Sequence, residues 1–239
     1  MTEIVDNAVQ LVAALCCTVG SVIQAVRTRR QEWCILACFY GTFAMGLIYW
    51  LVFELLLSYT PRYFYVADLS WIASYLFMLT LEIAITVPEA EKFRTAAAWL
   101  SPVVGISLTL YYIQFGDVLS NALTCGFTTA AGWYAIRGIR YYHRYGKTPE
   151  DRSRLRLHHV ILVLIFLEYC LWTASCFWIS DTMTNPYFWF DYMLSAALPA
   201  LYAAARRALP GETRHTAAAG EPADDTDLIS EKAGEENVH

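Results

Sequence analysis

The chain has 239 residues and a formal net charge of −5, and 57% of its residues are hydrophobic, 15% aromatic and only 16% charged. Soluble domains typically carry about 25% charged residues, so this composition excludes an ordinary water-soluble domain. The charges are confined to short breaks between long apolar stretches, which is typical of a polytopic α-helical membrane protein, and no strongly basic surface indicates a nucleic-acid partner.

Seven apolar stretches have the length of a membrane-spanning helix, which needs about 20 residues to cross about 30 Å of hydrocarbon. We therefore predict an all-α fold, a polytopic integral membrane bundle of seven transmembrane helices within residues 1–209. The segment 210–239 is rich in Ala, Gly and acids, and it is predicted to be a disordered cytoplasmic tail. The predicted spans are, in chain order, 5–26, 33–57, 68–87, 96–115, 118–136, 159–179 and 188–208.

Basic residues indicate the orientation of the bundle, because cytoplasmic loops accumulate Lys and Arg. Every Lys and Arg except Arg62 falls after the first, third or fifth span, or at the end of the seventh span and beyond it. This pattern predicts an extracytoplasmic N-terminus and a cytoplasmic C-terminus in a bacterial-type cell membrane. The longest inner connection is predicted between Arg137 and His158, where topological anchoring and contact with anionic lipid or a partner are alternative roles.

The chain lacks the residue patterns that common cofactors and enzyme mechanisms need. Its lysines lie outside the spans, so no Schiff base to retinal is available inside the bundle. Its histidines lie at the inner edge, in a connection or in the tail, away from where axial haem ligands are needed. Cys34 and Cys38 have no second pair of zinc ligands, and no phosphate-binding loop or nucleophile elbow is present. We therefore expect no cofactor and no enzymatic activity.

Two pairs of predicted spans begin alike. Asp68 and Asp191 each follow a proline and an aromatic cluster, at the outer start of the third and seventh spans. The first and fifth spans both begin with an Asn-Ala dipeptide, at Asn7 and Asn121. One hypothesis is a three-plus-one-plus-three (3+1+3) arrangement of two parallel repeats. The alternative is that aromatic and turn residues gather at any membrane interface.

Carboxylates inside the spans are the strongest indication of function, because ionisable groups are costly in a membrane and usually face the bundle interior. A rise of about 1.5 Å per residue puts Glu168 near the midplane and Glu82 in the inner third. Glu54, Asp68 and Asp191 fall in the outer part. No Lys or Arg lies in a span core to neutralise them, so each must be protonated, hydrogen-bonded, hydrated or paired with an external ligand.

Helical spacing groups these acids with aromatic and hydroxyl side chains on shared helix faces. The pattern predicts an acidic, aromatic-lined cavity that opens outward and suits a small cationic or polar ligand. The alternative is that the acids only hold the helices together through hydrogen bonds. The candidate ligand-binding residues are Glu54, Asp68, Trp71, Tyr75, Glu82, Glu168, Trp172, Asp191, Ser195 and Tyr202.

One short stretch resembles a known class of membrane region. From Tyr65 to Leu76 the sequence Tyr-Val-Ala-Asp-Leu-Ser-Trp-Ile-Ala-Ser-Tyr-Leu resembles the Ala-Asp…Tyr-Leu stretch of membrane-embedded input regions in some bacterial signalling proteins. This resemblance implies a multi-helix sensory module that works with a cytoplasmic signalling partner. The helix count also resembles that of small carriers of the PQ-loop type, although the Pro-Gln dipeptide of those carriers is absent from the spans here.

Three functions are compatible with this sequence. The first is a non-enzymatic sensory or small-ligand-binding membrane module whose cavity is built from the second, third, sixth and seventh spans. The second is a small-solute or proton-coupled transporter, because the same carboxylates could relay protons. The third is a structural or assembly subunit of a membrane complex, which needs no ligand. In each case the lipid bilayer is the first partner.

Reporter fusions test the predicted topology. A fusion after Leu209 should show activity of the cytoplasmic reporter enzyme, because the basic breaks resist translocation. An insertion near Arg62 should show activity of the periplasmic reporter enzyme. Activity is measured with a reporter pair, one enzyme that works only in the periplasm and one that works only in the cytoplasm. Periplasmic activity of the fusion after Leu209 would contradict an odd number of spans.

Overall fold

A computed structural model of the chain describes residues 2–57, 66–116, 118–178, 180 and 182–209. These residues form helices and no strand, so the predicted all-α class is confirmed for the described part of the chain. Two sequence predictions lie outside the described residues. They are the disordered tail at 210–239 and the aromatic cluster that precedes Val66.

Each of the seven predicted spans overlaps one helix of at least 13 residues, and a short helix and a 3-10 turn lie between the third and the fourth of these helices. Three predicted spans extend beyond their helices, which end at Ile85, Tyr112 and Phe177. The first of these ends early because Pro88 begins the next helix. In chain order the elements are α1 (Thr2–Thr28), α2 (Gln31–Leu57), α3 (Val66–Ile85), α4 (Pro88–Lys92), the turn Ala96–Trp99, α5 (Leu100–Tyr112), α6 (Val118–Tyr145), α7 (Pro149–Phe177) and α8 (Pro186–Ala208).

Four helices are long and apolar enough to cross a membrane, namely α1, α2, α3 and α7. The stretch Ala96–Tyr112, which includes α5, is apolar but shorter. Helix α6 continues through Arg137, Arg140 and Arg144, so part of its length is polar. The four apolar helices indicate a membrane location, whereas the crossing of all seven stays a prediction.

The outer surface of the described helices agrees with contact to lipid. Large apolar side chains are widely exposed, among them Val26 at 73%, Leu56 at 75% and Leu110 at 65%. On α1 the buried face is instead polar or small, since it carries Asp6, Asn7, Gln10, Ala14, Cys17 and Ser21. A helix that is apolar outside and polar inside is stable only where apolar solvent surrounds the bundle.

The predicted long connection between Arg137 and His158 is wrong, because most of it is helical. Helix α6 runs to Tyr145 and α7 begins at Pro149, which leaves a linker of three residues. The start of α7 is fixed by a capping box, in which Thr148 Oγ1 accepts from the Asp151 backbone N–H at 3.1 Å and Asp151 Oδ2 accepts from the Thr148 N–H at 3.1 Å. This reciprocal cap and the proline that follows it start the helix well before the apolar span.

Six helices pack in a closed ring, in the order α1, α2, α3, α6, α7, α8 and back to α1. Two buried hydrogen bonds also join helices that are not neighbours in this ring. The Tyr40 hydroxyl of α2 donates to the Leu198 carbonyl of α8 at 2.6 Å. The basic end of the bundle is the end that carries Arg27, Lys92, Arg137 and Arg206. Nearer this end, Glu82 of α3 pairs with His158 of α7, with 2.8 Å between Oε2 and Nδ1. These bonds brace the interior of the ring.

Helix α5 lies outside the ring and packs mainly on α6. Small residues make this contact close, as is common between membrane helices. Ser101 Oγ donates to the Thr129 carbonyl at 2.7 Å. A Cβ atom added at Gly105 would overlap the Thr129 hydroxyl, whereas one added at Gly126 would meet no atom within 4 Å.

Replacing Gly105 with Ala should therefore lower the free energy of unfolding by about 1–3 kcal/mol, the usual cost of overpacking. Thermal or detergent unfolding of the purified protein measures the change. The matched control Gly126→Ala should leave stability nearly unchanged or raise it slightly, because Ala favours a helix over Gly. Adding Thr129→Ala to Gly105→Ala should restore part of the loss, and equal stability of the two Gly→Ala variants would disprove the close contact.

Candidate functional site

A cavity of about 230 Å³ lies inside the ring, and all six ring helices contribute to its wall. Helices α1, α3, α6 and α8 line it near their N-terminal ends, and α2 and α7 near their C-terminal ends. Neighbours therefore alternate in direction within α1–α3 and within α6–α8, whereas α3 runs parallel to α6 and α8 runs parallel to α1. The lining residues are Asn7, Gln10, Phe43, Leu47, Trp50, Asp68, Trp71, Tyr75, Ser120, Thr124, Glu168, Leu171, Trp172, Ser175, Tyr187, Asp191 and Leu194.

Three carboxylates reach this cavity, and no Lys or Arg is among its described lining residues. Glu168 is only 7% exposed and Asp191 only 4%. The Tyr75 hydroxyl, which is uncharged, lies beside the Glu168 carboxyl. Burial of a carboxylate without a basic partner is costly, so these groups favour a cation or a proton in the cavity.

Tryptophans form much of the remaining wall. The rings of Trp50 and Trp71 lie 5.9 Å apart at 45°, which joins the end of α2 to the start of α3. Trp71 packs over Gly46, where an added Cβ would approach its indole nitrogen to 2.6 Å. Trp172 lies opposite on α7, with its ring 5.9 Å from that of Tyr112. Indole faces next to carboxylates attract cations through the ring quadrupole.

Six of the ten predicted site residues line this cavity, namely Asp68, Trp71, Tyr75, Glu168, Trp172 and Asp191. The other four lie elsewhere. Glu54 lies one turn beyond Trp50 on α2 and is half-buried. Ser195 is buried one turn after Asp191 on α8, outside the cavity wall. Tyr202 packs against Trp33, with 5.7 Å between ring centroids, far along α8, and Glu82 forms the separate pair with His158.

Sequence reasoning missed several polar residues of this site, among them Asp6, Asn7, Gln10 and Tyr187. Asn7, Gln10 and Tyr187 line the cavity, and Asp6 lies behind Asp191. A signal for the α1 residues was present, since Asp6 and Gln10 are four residues apart and share one face of an otherwise apolar helix. The contact of that face with α8 depends on closure of the ring, which local spacing does not reveal.

The Glu82–His158 pair is fully buried further along the bundle axis, beyond the cavity. Both side chains have 0% exposure. His158 stacks on Tyr142 at 5.7 Å, and its Nε2 faces Gly138, where an added Cβ would come within 2.6 Å. The sequence analysis placed His158 at the inner edge and gave Glu82 no partner. The structure adds this pair as a link between α3 and α7.

A double-mutant cycle tests whether the pair acts as one unit. Glu82→Met and His158→Leu should each lower the free energy of unfolding by about 1–3 kcal/mol, because each leaves a buried polar group unpaired. The double variant should lose less than the sum of the two, since it leaves neither partner behind. Detergent unfolding measures all four proteins, and simple additivity would show that the two side chains do not interact.

The cavity joins buried acids, tryptophan faces and hydroxyl groups in one partly open volume. Such a wall can hold a small cation, exchange a proton with it, or order water. Among the described residues, no three His, Cys, Asp or Glu side chains form a group that could hold a metal ion. Comparison with known protein families, with curated proteins and with solved structures finds no match for this chain.

Proposed function

We propose that this chain is a non-enzymatic multi-pass membrane protein that binds a small organic cation in the ring cavity, as a sensory or ligand-binding module. The observation that carries the proposal is the composition of the wall. Glu168 and Asp191 are buried there beside Trp71 and Trp172, and no described lining residue is basic. Carboxylates supply the charge complement, and indole faces supply a surface that holds an amine or quaternary ammonium group.

The size of the cavity favours a small ligand. Pockets for drug-sized molecules are typically about 300–1,000 Å³, and this one is about 230 Å³. Its wall also contains Leu47, Leu171 and Leu194, so the ligand has alkyl groups beside its charge. A short-chain amine or a choline-like cation meets both conditions, whereas an anion is disfavoured by the acids.

We further propose that all seven long helices cross a bacterial-type cell membrane, with the cavity facing outward and the C-terminal end in the cytoplasm. The charge distribution supports this orientation. Arg27, Lys92, Arg137 and Arg206 belong to the end of the bundle opposite the cavity, where positive charge is retained in the cytoplasm. Ligand from outside then reaches the cavity without crossing the bundle.

Parallel repeats, α1–α3 and α6–α8, are part of the same proposal. The ring order supports them, because exchanging the two halves maps every ring contact onto another ring contact. Matching positions also lie at the cavity end, with Trp50 on α2 opposite Trp172 on α7 and Asp68 on α3 opposite Asp191 on α8. Ligand sites between repeats are typical of transporter folds.

A proton-coupled or small-solute transporter is the second candidate. It is favoured by the position of Glu82 on the same face of α3 as Asp68 and Tyr75, because this face continues the acids from the cavity towards the basic end. A transporter moves its solute in liposomes by itself, whereas a sensor needs a cytoplasmic signalling partner. A structural subunit of a membrane complex is the third candidate, and it binds no ligand.

Choline and its uncharged carbon isostere 3,3-dimethylbutan-1-ol test the proposal, because they differ in charge and hardly in shape. Titration calorimetry of the protein in lipid nanodiscs should detect choline binding and little or no binding of the isostere. Glu168→Gln should weaken choline binding by about 10- to 100-fold, the loss of one charge-assisted contact. The matched control Glu150→Gln, exposed on the same helix, should bind choline as the parent does.

Equal binding of choline and the isostere would contradict a charge-selective cavity. If neither binds, and Glu168→Gln leaves stability unchanged as well, the structural-subunit alternative is favoured. Uptake of radiolabelled choline into liposomes that contain only this protein decides between the first two candidates. Uptake favours a transporter, and binding without uptake favours a sensory or ligand-binding module.

A further inference from the structure

A second acidic group lies behind the cavity wall, where α1 meets α8. Asp6 of α1 and Asp191 of α8 are 1% and 4% exposed. Asp6 lies one turn before Gln10 on the buried face of α1, so its carboxyl group lies beside that of Asp191. Gln10 Nε2 donates to Asp191 Oδ1 at 2.6 Å. Neither oxygen of Asp6 receives a hydrogen bond from any donor in the described part of the chain. Asp6 is therefore a buried acid whose one described polar contact is another acid.

Two neighbouring carboxyl groups are stable together only when a proton or a cation compensates their negative charge. An ionised carboxylate only accepts hydrogen bonds, so two of them cannot bond unless one carries a proton. Two neighbouring buried acids ionise one at a time, because the first negative charge disfavours the second. Gln10 fixes one oxygen of Asp191 and leaves the other for the contact with Asp6.

The side chains around the Asp6–Asp191 pair are acids and uncharged hydroxyl groups from the neighbouring helices. On α1 the nearest acid is Glu3, whose Oε1 accepts from the Trp50 indole N–H of α2 at 3.0 Å. From α7 the pair faces Glu168, and from α8 it faces the Tyr187 hydroxyl. Helix α3 adds Tyr75, and α2 carries Glu54 one turn beyond Trp50. No Lys or Arg faces the pair from these described positions.

We propose that Asp6 and Asp191 share one exchangeable proton, and that a cation entering the cavity releases it. This inference rests on the proposed function, because the releasing ligand is the organic cation of the cavity. Asp191 belongs both to the cavity wall and to the pair with Asp6. A cation beside Asp191 stabilises its ionised form, so the O–H bond of the shared proton breaks and the proton passes to water.

The exchange keeps the charge of the site constant. One positive charge enters the cavity and one leaves the pair, so no net charge is added inside the bundle. Binding of the cation is then linked to pH, because protons compete with it for the same carboxylates. Affinity should increase as pH rises through the range in which the pair loses its proton, and decrease in acid.

Calorimetry in two buffers of different ionisation enthalpy measures the proton released per choline bound. We expect about one proton per choline in the parent near neutral pH and close to none in Asp6→Asn. The new amide N–H donates to Asp191 in place of the proton, so this variant should fold and still bind choline. Glu150→Gln, remote from the pair, should release the proton as the parent does.

Infrared spectroscopy tests the pair without any ligand. The carbonyl band of a protonated carboxylic acid should be present in the parent near neutral pH and weaker by one group in Asp6→Asn. Absence of this difference would overturn the inference whether or not choline binds. Choline binding with no proton release in the parent, or equal release by Asp6→Asn, would also overturn it. Presence of the band without choline binding would overturn the proposed function alone.

Discussion

Polar side chains on the apolar helices need hydrogen-bond partners within the protein, and much of the architecture follows from that constraint. Hydrocarbon offers no hydrogen bonds, so each polar group on an apolar helix must find a partner within the protein or in an enclosed volume. The buried face of α1, with Asp6 and Gln10, meets Asp191 of α8 for this reason. The contact closes the ring, and closure encloses the cavity.

Two kinds of interior contact divide the ring along its axis. Towards the basic end, Tyr40 bonds to the α8 backbone and Glu82 pairs with His158, so two hydrogen bonds cross the interior there. Glu82 Oε1 and His158 Nε2 have no hydrogen-bond partner in the described part of the chain, so this end is only partly matched. Towards the other end, three acids and no described Lys or Arg line a cavity, which favours a cation that supplies the missing charge.

Hydropathy predicted the long helices well, because the lipid requirement acts on each stretch independently. Helical spacing also predicted that Asp68, Trp71 and Tyr75 share a face, and they line the cavity together. The position of a side chain along the bundle axis was harder to predict. Glu82 is on the face of Asp68 but 14 residues further along, about 21 Å by helix rise, so it lies beyond the cavity. Tyr202 is displaced from Asp191 in the same way.

Contacts that depend on which helices become neighbours could not be predicted from local patterns. Gln10 and Asp191 are far apart in sequence, and their bond exists only because α8 returns to α1. The pairing of Glu82 with His158 requires that α3 and α7 approach across α6. The extension of α6 and α7 through the basic region was also missed, because charge was taken as a sign of a loop although the capping box at Thr148 starts a helix.

The position of α5 outside the ring has a mechanical consequence. Helix α3 ends at the basic end and α6 begins at the cavity end, so the chain must travel back along the bundle between them, and α5 makes that return on the periphery. The covalent link between the two groups of three helices therefore imposes no fixed spacing on them at the cavity. Their separation is set by side-chain contacts at the α3–α6 and α8–α1 seams.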